Sequence, residues 1–386
     1  MSKAVIVEAV RTPIGRAHPA RGYYRDTRSD DLAAACLRGL LDRAGLDANL
    51  VEDVLLGCTQ QTMEQGMNLA RNVLLMSGIP VESGGATINR LCGSSLQALN
   101  QAAHSIVAGA EDVQIVGGVE HMHHLPMTHG LDINPKLLRH TSRGALHMGV
   151  TAEFLAQSMD VSREAQDQFA LASHQKAAAA HAAGKFNAEI VPMQARDEQG
   201  QLITAEVDQC VRADTSLEAL GALEPAFMPR GGTVTAGNSS PLNDGAAAML
   251  VMSEDRANEL GLKPIARVRA TAVAGVDPCV MGTGPIPATK KALARAGLTV
   301  NDVDLFELNE AFAVQALVCM RGLKLDPAKV NVHGGAVAIG HPLGASGARI
   351  ATTLLHAMRD RDATLGVATM CIGVGQGIAT VFERIS

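Results

Sequence analysis

Residues 92–118 read CGSSLQALNQAAHSIVAGAEDVQIVGG, and residues 343–369 read LGASGARIATTLLHAMRDRDATLGVAT. Each stretch opens on a Gly-x-Ser sequence, continues as an apolar helical pattern and ends in an apolar strand pattern. Ser346 follows Ser95 by 251 residues, and the strand patterns that close the two stretches keep the same offset. The shared spacing predicts that one α/β unit occurs twice in the chain.

An earlier block in each unit keeps nearly the same spacing. The helical patterns at 30–46 and 287–298 both end in Ala-Gly-Leu, 252 residues apart, and each leads into an apolar strand pattern. Ordinary strand–helix alternation in an α/β chain could imitate one such match, but three matched blocks favour a duplicated domain. The strand patterns are too continuously apolar for burial on one face, which predicts sheets covered by helices on both faces.

The region between the two units differs from both. It holds a loop rich in His and Met at 121–130, helical patterns over 150–183 and a polar hairpin pattern that turns at Gly200. A buried strand pattern returns at 241–262. The predicted parts are an N-terminal half over 1–120 completed by 244–262, an inserted loop domain over 121–243, and a C-terminal half over 263–386.

Composition excludes several classes of protein. The 386 residues are 47% hydrophobic and 19% charged, which is typical of a globular chain too long for one core. A net charge of −6 and 2% aromatic residues argue against a nucleic-acid surface, and no apolar run approaches the length of a membrane span. Seven cysteines without a CxxC pair, and a start without a signal-peptide pattern, predict a reducing, cytoplasmic location.

Two cysteines follow strand patterns. Cys92, in TINRLCGSSLQAL, opens a helical pattern, where free N–H groups favour a thiolate, although a buried structural cysteine is an equal alternative. Cys371, in MCIGVGQG, is followed by glycines that leave room beside the sulfur and expose N–H groups able to receive an oxyanion. The same glycines could indicate a dinucleotide loop, but too few residues follow Gly377 for the helix and acidic residue that such a loop requires.

A histidine and an asparagine are further candidates. His341 lies in GGAVAIGHPLGASGAR, where Pro342 and the flanking glycines fix the backbone, so the imidazole is a candidate general base. Asn309, in FELNEAFA, is either a turn residue or an amide that orients water at an oxyanion site. A cluster of histidines comprises His121, His123, His124 and His129. It lacks paired zinc ligands, so we expect solvent-facing side chains and no metal.

Four segments together resemble the signature set of the thiolase family. They are NRLCGSS around Cys92, NEAF at 309–312, GHPLGASGAR at 340–349 and CIGVGQG at 371–377. RTPIGR at 11–16 and TVTAGNSSPLNDGAAA at 233–248 resemble the same family, so the match extends in order over nearly the whole chain. The resemblance implies the α/β thiolase fold, with two similar α/β/α/β/α halves and an inserted loop domain. It also implies an acyltransferase that cleaves 3-ketoacyl-CoA with coenzyme A as co-substrate and no permanently bound cofactor.

The resemblance implies a role for each matching residue. Cys92 matches the nucleophile that takes the acyl group, and Cys371 the acid/base that handles the α-carbon proton and the CoA thiol. His341 matches the residue that activates Cys92 and, with water held by Asn309, stabilises the thioester enolate. The N–H groups of Cys92 and Gly373 match the second oxyanion hole. The residues that match CoA contacts are His147, Met148, Arg212, Ser240, Ala311 and Phe312.

Within the family, the segments at 60–72 and 117–130 resemble the thiolase subunit of the bacterial fatty-acid oxidation complex, although MHHL at 122–125 departs from the expected glycine-containing version. That resemblance implies β-oxidation and a complex with a hydratase/3-hydroxyacyl-CoA dehydrogenase subunit. A sheet edge near residues 80–120 favours a homodimer. The alternatives are a biosynthetic acetoacetyl-CoA thiolase, a ketoacyl synthase, which typically has two histidines and one cysteine, and a non-catalytic acyl-CoA-binding or scaffolding subunit.

Overall fold

The strands form one large sheet and a separate hairpin in a computed structural model, which describes residues 3–385. They are β1 (Ala4–Arg11), β2 (Gly15–Arg16), β3 (Asp53–Gly57), β4 (Gly84–Ile88), β5 (Val113–His121), β6 (Met193–Arg196), β7 (Leu202–Ala205), β8 (Asn243–Ser253), β9 (Ala266–Gly275), β10 (Leu305–Leu308), β11 (Leu365–Ile372) and β12 (Gln376–Arg384). The hairpin consists of β6 and β7. It turns at Gly200, as the sequence predicted, and this glycine has the left-handed φ of +87°.

The helices connect the strands and cover the sheet. They are α1 (Ser29–Ala44), α2 (Leu69–Met76), α3 (Ser94–Ala108), α4 (Met148–Ser158), α5 (Arg163–Ala182), α6 (Leu217–Gly221), α7 (Glu254–Glu259), α8 (Pro285–Ala296), α9 (Ala313–Leu323) and α10 (Ser346–Asp360). Within residues 3–385, no helix combines the length and the apolar composition that a membrane span requires.

The strand order confirms the duplication. The large sheet runs β10-β11-β12-β9-β1-β8-β5-β3-β4, with β2 paired to β8. Outward from the β9–β1 junction, both halves have the same order, because β1-β8-β5-β3 corresponds to β9-β12-β11-β10. The outermost of these pairs, β5–β3 and β11–β10, are parallel, and the others are antiparallel. The second half departs in one respect, since its counterpart of β4 is a single bridge between Phe306 and Val330.

The sheet has helices on both faces, as the continuous apolar strand patterns predicted. Side chains at even positions of β8 pack with α1 and α2, whereas those at odd positions pack with α3 and α10. Helices α3 and α10 therefore lie in the middle of the molecule, between its two halves. They approach very closely: a Cβ on Gly347 would lie 2.3 Å from the Leu96 nitrogen, and the Ser95 hydroxyl accepts the Ala348 N–H at 2.8 Å. This contact brings the starts of both helices together.

A buried ion-pair cluster joins the segment between β5 and β8 to the N-terminal half. The Arg11 guanidinium is fully buried and donates to both Asp208 oxygens at 2.7 and 2.9 Å and to Glu189 at 2.6 Å. Burial alone would raise the pKa of Asp208, but Arg11 and His181 hold it below its usual range. Glu189 also accepts from Thr353 of α10, so the same cluster reaches the central helix.

Candidate active site

Cys92 lies in a tight turn between β4 and α3. Leu91, the residue before it, has φ +46°, a left-handed conformation that is uncommon for leucine and strains the backbone. The Ser94 hydroxyl closes the turn, since it donates to the Leu91 carbonyl at 2.5 Å and accepts the Arg90 N–H at 2.9 Å. The turn presents Cys92 just before α3 begins, as predicted, and leaves the residue partly exposed.

Two backbone N–H groups lie near enough to the Cys92 thiol to lower its pKa, that of Gly373 and its own. These are the two groups that the sequence predicted for an oxyanion hole, so the structure brings them together. Burial raises the pKa of the Cys92 thiol and the two N–H groups lower it by less, so that the pKa lies at about 11. The prediction that the helix start favours a thiolate is therefore wrong for the resting site, because desolvation outweighs the N–H groups. Ionisation of Cys92 needs a base.

Cys371 lies near the end of β11 and is buried opposite Gly377 of β12. The turn after it contains two residues with left-handed backbone, Val374 at φ +62° and Gly375 at φ +79°. A Cβ on Gly375 would lie 2.3 Å from the Val276 carbonyl oxygen, so only glycine permits this approach of the two loops.

The two cysteine loops are in contact. A Cβ on Gly93, the neighbour of Cys92, would lie 2.5 Å from the end of the Ile372 side chain, the neighbour of Cys371. Burial raises the pKa of the Cys371 thiol well above its usual value, and the Cys92 sulfur raises it further. Both thiols are thus protonated at rest, and Cys371 has a proton to donate beside Cys92.

His341 is buried, and its loop is held at several points. Its backbone N–H donates to the Asn243 side-chain oxygen at 2.9 Å, and its Nδ1 lies 2.6 Å from the Ser346 hydroxyl. Gly340 before it has φ +123°, and a Cβ there would lie 2.6 Å from the Asn243 side chain. The Glu120 carboxylate accepts the Gly344 N–H at 2.9 Å, which ties the loop to the end of β5.

Burial and, to a smaller extent, the positive charge of Arg349 together lower the pKa of His341 to about 3. The imidazole is therefore neutral at physiological pH and can accept a proton. Asn309, buried at the end of β10, places its Nδ2 3.4 and 3.5 Å from the two ring nitrogens, on the face of the ring. Its Oδ1 has no partner among the described residues and can accept a hydrogen bond from water or substrate.

Four of the predicted CoA contacts lie together. Ser240 donates its N–H and its hydroxyl to the Ala311 carbonyl at 3.0 and 3.1 Å, and Phe312 pairs with Ser239 in an isolated bridge. Met148 at the start of α4 belongs to the same apolar cluster as Ala311, Phe312 and Cys371.

The remaining two predicted CoA contacts, His147 and Arg212, differ in position. His147 directly precedes α4. The sulfur of its neighbour Met148 would lie 3.2 Å from a Cβ on Gly373, so His147 lies near the predicted oxyanion hole. Arg212 is exposed, and its backbone N–H donates to His174 at 3.2 Å. Arg212 has no described contact with the other predicted CoA residues, so its role stays a prediction.

Three residues of this site were missed in the sequence. The Phe227 ring meets the Phe312 ring edge-on at 6.1 Å, and a Cβ on Gly149 would lie 2.2 Å from it. Phe227 is also 44% exposed, which suits a ligand contact. Asn243 and Glu120 hold the His341 loop. Each is a polar residue within an apolar strand pattern, and that feature could have identified it in the sequence.

The histidine cluster is not the solvent-facing loop that the sequence predicted. His121 is fully buried at the end of β5, and only His129 is exposed. Glu64, His121 and His124 do bring potential metal ligands within 4.8 Å. However, the His121 and His124 rings are stacked at 3.8 Å with planes 15° apart, so both cannot direct an in-plane nitrogen at one ion. Their nitrogens instead lie within hydrogen-bonding distance of protein groups, including the Tyr24 and Arg25 carbonyls at 3.0 Å.

The chain is similar to known thiolases over its whole length. Models of the thiolase N-terminal and C-terminal domains match residues 4–255 and 262–384. The 3-ketoacyl-CoA thiolases of Aliivibrio fischeri and Pectobacterium carotovorum subsp. carotovorum are 55% and 56% identical to it, with 100% of each chain covered. The crystal structure of Bacillus anthracis acetyl-CoA acetyltransferase matches with a TM-score of 0.91 and 38% identity, over 100% of this chain and 99% of that one. These findings confirm the predicted fold and enzyme class, and the chain belongs to the thiolase family of acyltransferases.

Proposed function

We propose that this chain cleaves 3-ketoacyl-CoA with coenzyme A, giving acetyl-CoA and a shortened acyl-CoA in fatty-acid β-oxidation, through an acyl-Cys92 intermediate. The observation that carries this proposal is the convergence of the Cys92 and Gly373 N–H groups on one thiol, with a second thiol, Cys371, in contact with its loop. A buried neutral imidazole, His341, supplies the base that Cys92 needs. A binding or scaffolding subunit would need none of this chemistry.

In the first half-reaction, His341 takes the Cys92 proton and the thiolate attacks the 3-keto carbon. The N–H groups of Cys92 and Gly373 receive the negative oxygen that forms, and each such donor is typically worth about 3 kcal/mol. The C2–C3 bond then breaks. The acetyl-CoA enolate leaves beside His341 and Asn309, and the Cys371 thiol protonates its α-carbon. This leaves acyl-Cys92, a Cys371 thiolate and a His341 imidazolium.

In the second half-reaction, the thiol of a new CoA gives its proton to the Cys371 thiolate. The CoA thiolate attacks the acyl-Cys92 thioester, with the same N–H pair around the oxygen. Cys92 leaves and recovers its proton from His341, which restores the resting site. Coenzyme A is thus a co-substrate, and every proton is carried by the chain's own side chains.

The test is a cleavage assay on purified protein with 3-ketoacyl-CoA substrates of several chain lengths. We expect loss of substrate only when free CoA is added, with acetyl-CoA and the shortened acyl-CoA formed in equal amounts. Cleavage of acetoacetyl-CoA alone would favour the biosynthetic alternative. A protein that binds acyl-CoA without turnover would overturn the proposal, as would a synthase that shows no CoA-dependent cleavage.

We propose that the six predicted CoA contacts, His147, Met148, Arg212, Ser240, Ala311 and Phe312, bind the pantetheine and nucleotide of coenzyme A. The support is that Met148, Ala311 and Phe312 share one apolar cluster with Cys371, and that Ser240 donates to the Ala311 carbonyl. Phe227 joins them, since its ring lies against Phe312. The division of the chain at 1–120, 121–243 and 263–386, with 244–262 completing the first part, is proposed on the positions of β5 and β8.

We also propose a homodimer, a cytoplasmic location and a complex with a hydratase/3-hydroxyacyl-CoA dehydrogenase subunit. The support for the dimer is β4, which ends the sheet order and pairs only with β3, so its outer edge is open. Light scattering should give about twice the chain mass of 40.2 kDa. Co-purification from native extract should recover the dehydrogenase chain. A fully active monomer would contradict the dimer, and a native enzyme free of partners would contradict the complex.

A further inference from the structure

Ser346, the first residue of α10, makes two short contacts in the buried site. Its hydroxyl oxygen lies 2.6 Å from His341 Nδ1 and 2.9 Å from the Pro342 carbonyl oxygen. Ser346 is fully buried and His341 is 5% exposed, so water does not compete freely for these groups. The hydroxyl has one hydrogen, and where it points determines which imidazole nitrogen is protonated.

Two arrangements are possible. The Pro342 carbonyl can only accept, so if the Ser346 hydroxyl donates to it, the oxygen must accept a hydrogen from His341 Nδ1. Nε2 is then left with a free lone pair. If the hydroxyl donates to Nδ1 instead, Nε2 carries the hydrogen and the ring cannot take a proton from Cys92. The first arrangement matches the common bond from a helical serine to the carbonyl four residues earlier.

We propose that Ser346 is a positioning residue that fixes His341 as the Nδ1-protonated tautomer, and so keeps Nε2 available as the base for Cys92. The proposal rests on the thiolase reaction proposed above. Proton uptake at Nε2 gives an imidazolium with a hydrogen on both nitrogens, and Ser346 accepts from Nδ1 before and after this step. The hydroxyl therefore has no need to rotate during the cycle.

The surroundings of His341 make this support necessary. Burial opposes the imidazolium, and Arg349, one turn beyond Ser346 on the same helix, adds a like charge. Glu307 on β10 lies 3.8 Å from Arg349, but burial raises the pKa of its carboxyl to about 8, so near neutral pH it is largely protonated and offsets little of that charge. Neither Arg349 nor Glu307 has a side-chain hydrogen bond within the described residues. The Asn309 Nδ2 lies 3.4 and 3.5 Å from the two ring nitrogens, so the 2.6 Å contact of Ser346 is the shorter one on the ring.

The duplicated fold offers a matched control. Ser95 occupies the position equivalent to Ser346, 251 residues earlier, and is equally buried at the start of α3. Its hydroxyl accepts the Ala348 N–H at 2.8 Å and has no contact with His341 among the described residues. Ser95→Ala removes a buried hydrogen bond between the same two helices, so it separates loss of packing from loss of tautomer control.

The experiment compares Ser346→Ala, Ser346→Thr and Ser95→Ala in the full chain. It measures kcat and KM for cleavage, and the rate at which iodoacetamide alkylates Cys92 as a function of pH, with the adduct located by mass spectrometry. For Ser346→Ala we expect kcat to fall by about 10²-fold with KM little changed, the lower range for a general base. The alkylation midpoint should move to a higher pH than in the wild-type protein, because the imidazole is no longer held ready to accept the Cys92 proton. Ser346→Thr keeps the hydroxyl, so its kcat and its alkylation midpoint should both be close to the wild-type values.

Ser95→Ala should lower the melting temperature without moving the alkylation midpoint. A folded Ser346→Ala with the wild-type kcat and midpoint would overturn the inference, as would an equal shift of the midpoint in Ser95→Ala. If Ser346→Ala does not fold, Ser346→Cys replaces it, since a thiol is a poorer acceptor, and an unchanged midpoint contradicts the role. A wild-type protein without cleavage activity overturns the proposed function, while the alkylation midpoint still tests the contact between Ser346 and His341.

Discussion

Cys92→Ala should lower CoA-dependent cleavage by about 10³-fold or more, because the acyl group would have no nucleophile to receive it. Cys92→Ser should lose most of the activity as well, since an alcohol ionises far less readily than a thiol even beside the N–H group of Gly373. Wild-type protein incubated with acetyl-CoA should carry an acetyl group on the peptide that contains Cys92. Both variants should keep the wild-type melting temperature closely enough to exclude unfolding as the cause.

Cys279 provides the control for this test, because it is the other partly exposed cysteine within residues 3–385. Cys279→Ala should retain cleavage and still accept the acetyl group on Cys92. An acyl group found reproducibly on another residue, with Cys92 free, would contradict the assignment of the nucleophile.

The fold could be predicted because its main regularity, a repeated α/β unit, is visible in the sequence itself. The shared offset at Ser95 and Ser346 marks the starts of the two central helices, which the structure places side by side. The apolar strands could be predicted because both of their faces are buried. The single bridge at Val330 was not predicted, since one paired position leaves no strand pattern in the sequence.

Environment was harder to predict than position. Cys92 was correctly placed at a helix start, but the sequence does not show how deeply its sulfur is buried, and burial reverses the expected effect on its pKa. His121 was expected in solvent because it was assigned to a loop rich in His and Met. It is buried because β5 extends to include it and the distant Tyr24 carbonyl accepts from its ring. Such partners, about 100 residues away, leave no signal in a local pattern.

Cys371→Ala should separate the two half-reactions. Its expected effect is a loss of about 10²- to 10⁴-fold in turnover, the usual range for a general acid or base. Cys92 should still take up an acyl group from acyl-CoA, because the N–H groups of Cys92 and Gly373 are unchanged. Exchange of the acetyl-CoA methyl protons with solvent should nearly vanish, since no thiolate would remain to remove them. Proton exchange is followed by NMR in deuterated buffer.

The pH dependence of that exchange follows from the buried position of Cys371. Burial raises the pKa of this thiol well above its usual value, so the thiolate that removes the methyl proton is scarce at neutral pH. The wild-type exchange rate should therefore keep rising with pH through the neutral range.

Cys319→Ala is the control for Cys371→Ala, because Cys319 is also a buried cysteine and donates to the Gly282 carbonyl. This variant should keep the exchange. Wild-type exchange in Cys371→Ala would show that another group moves the proton.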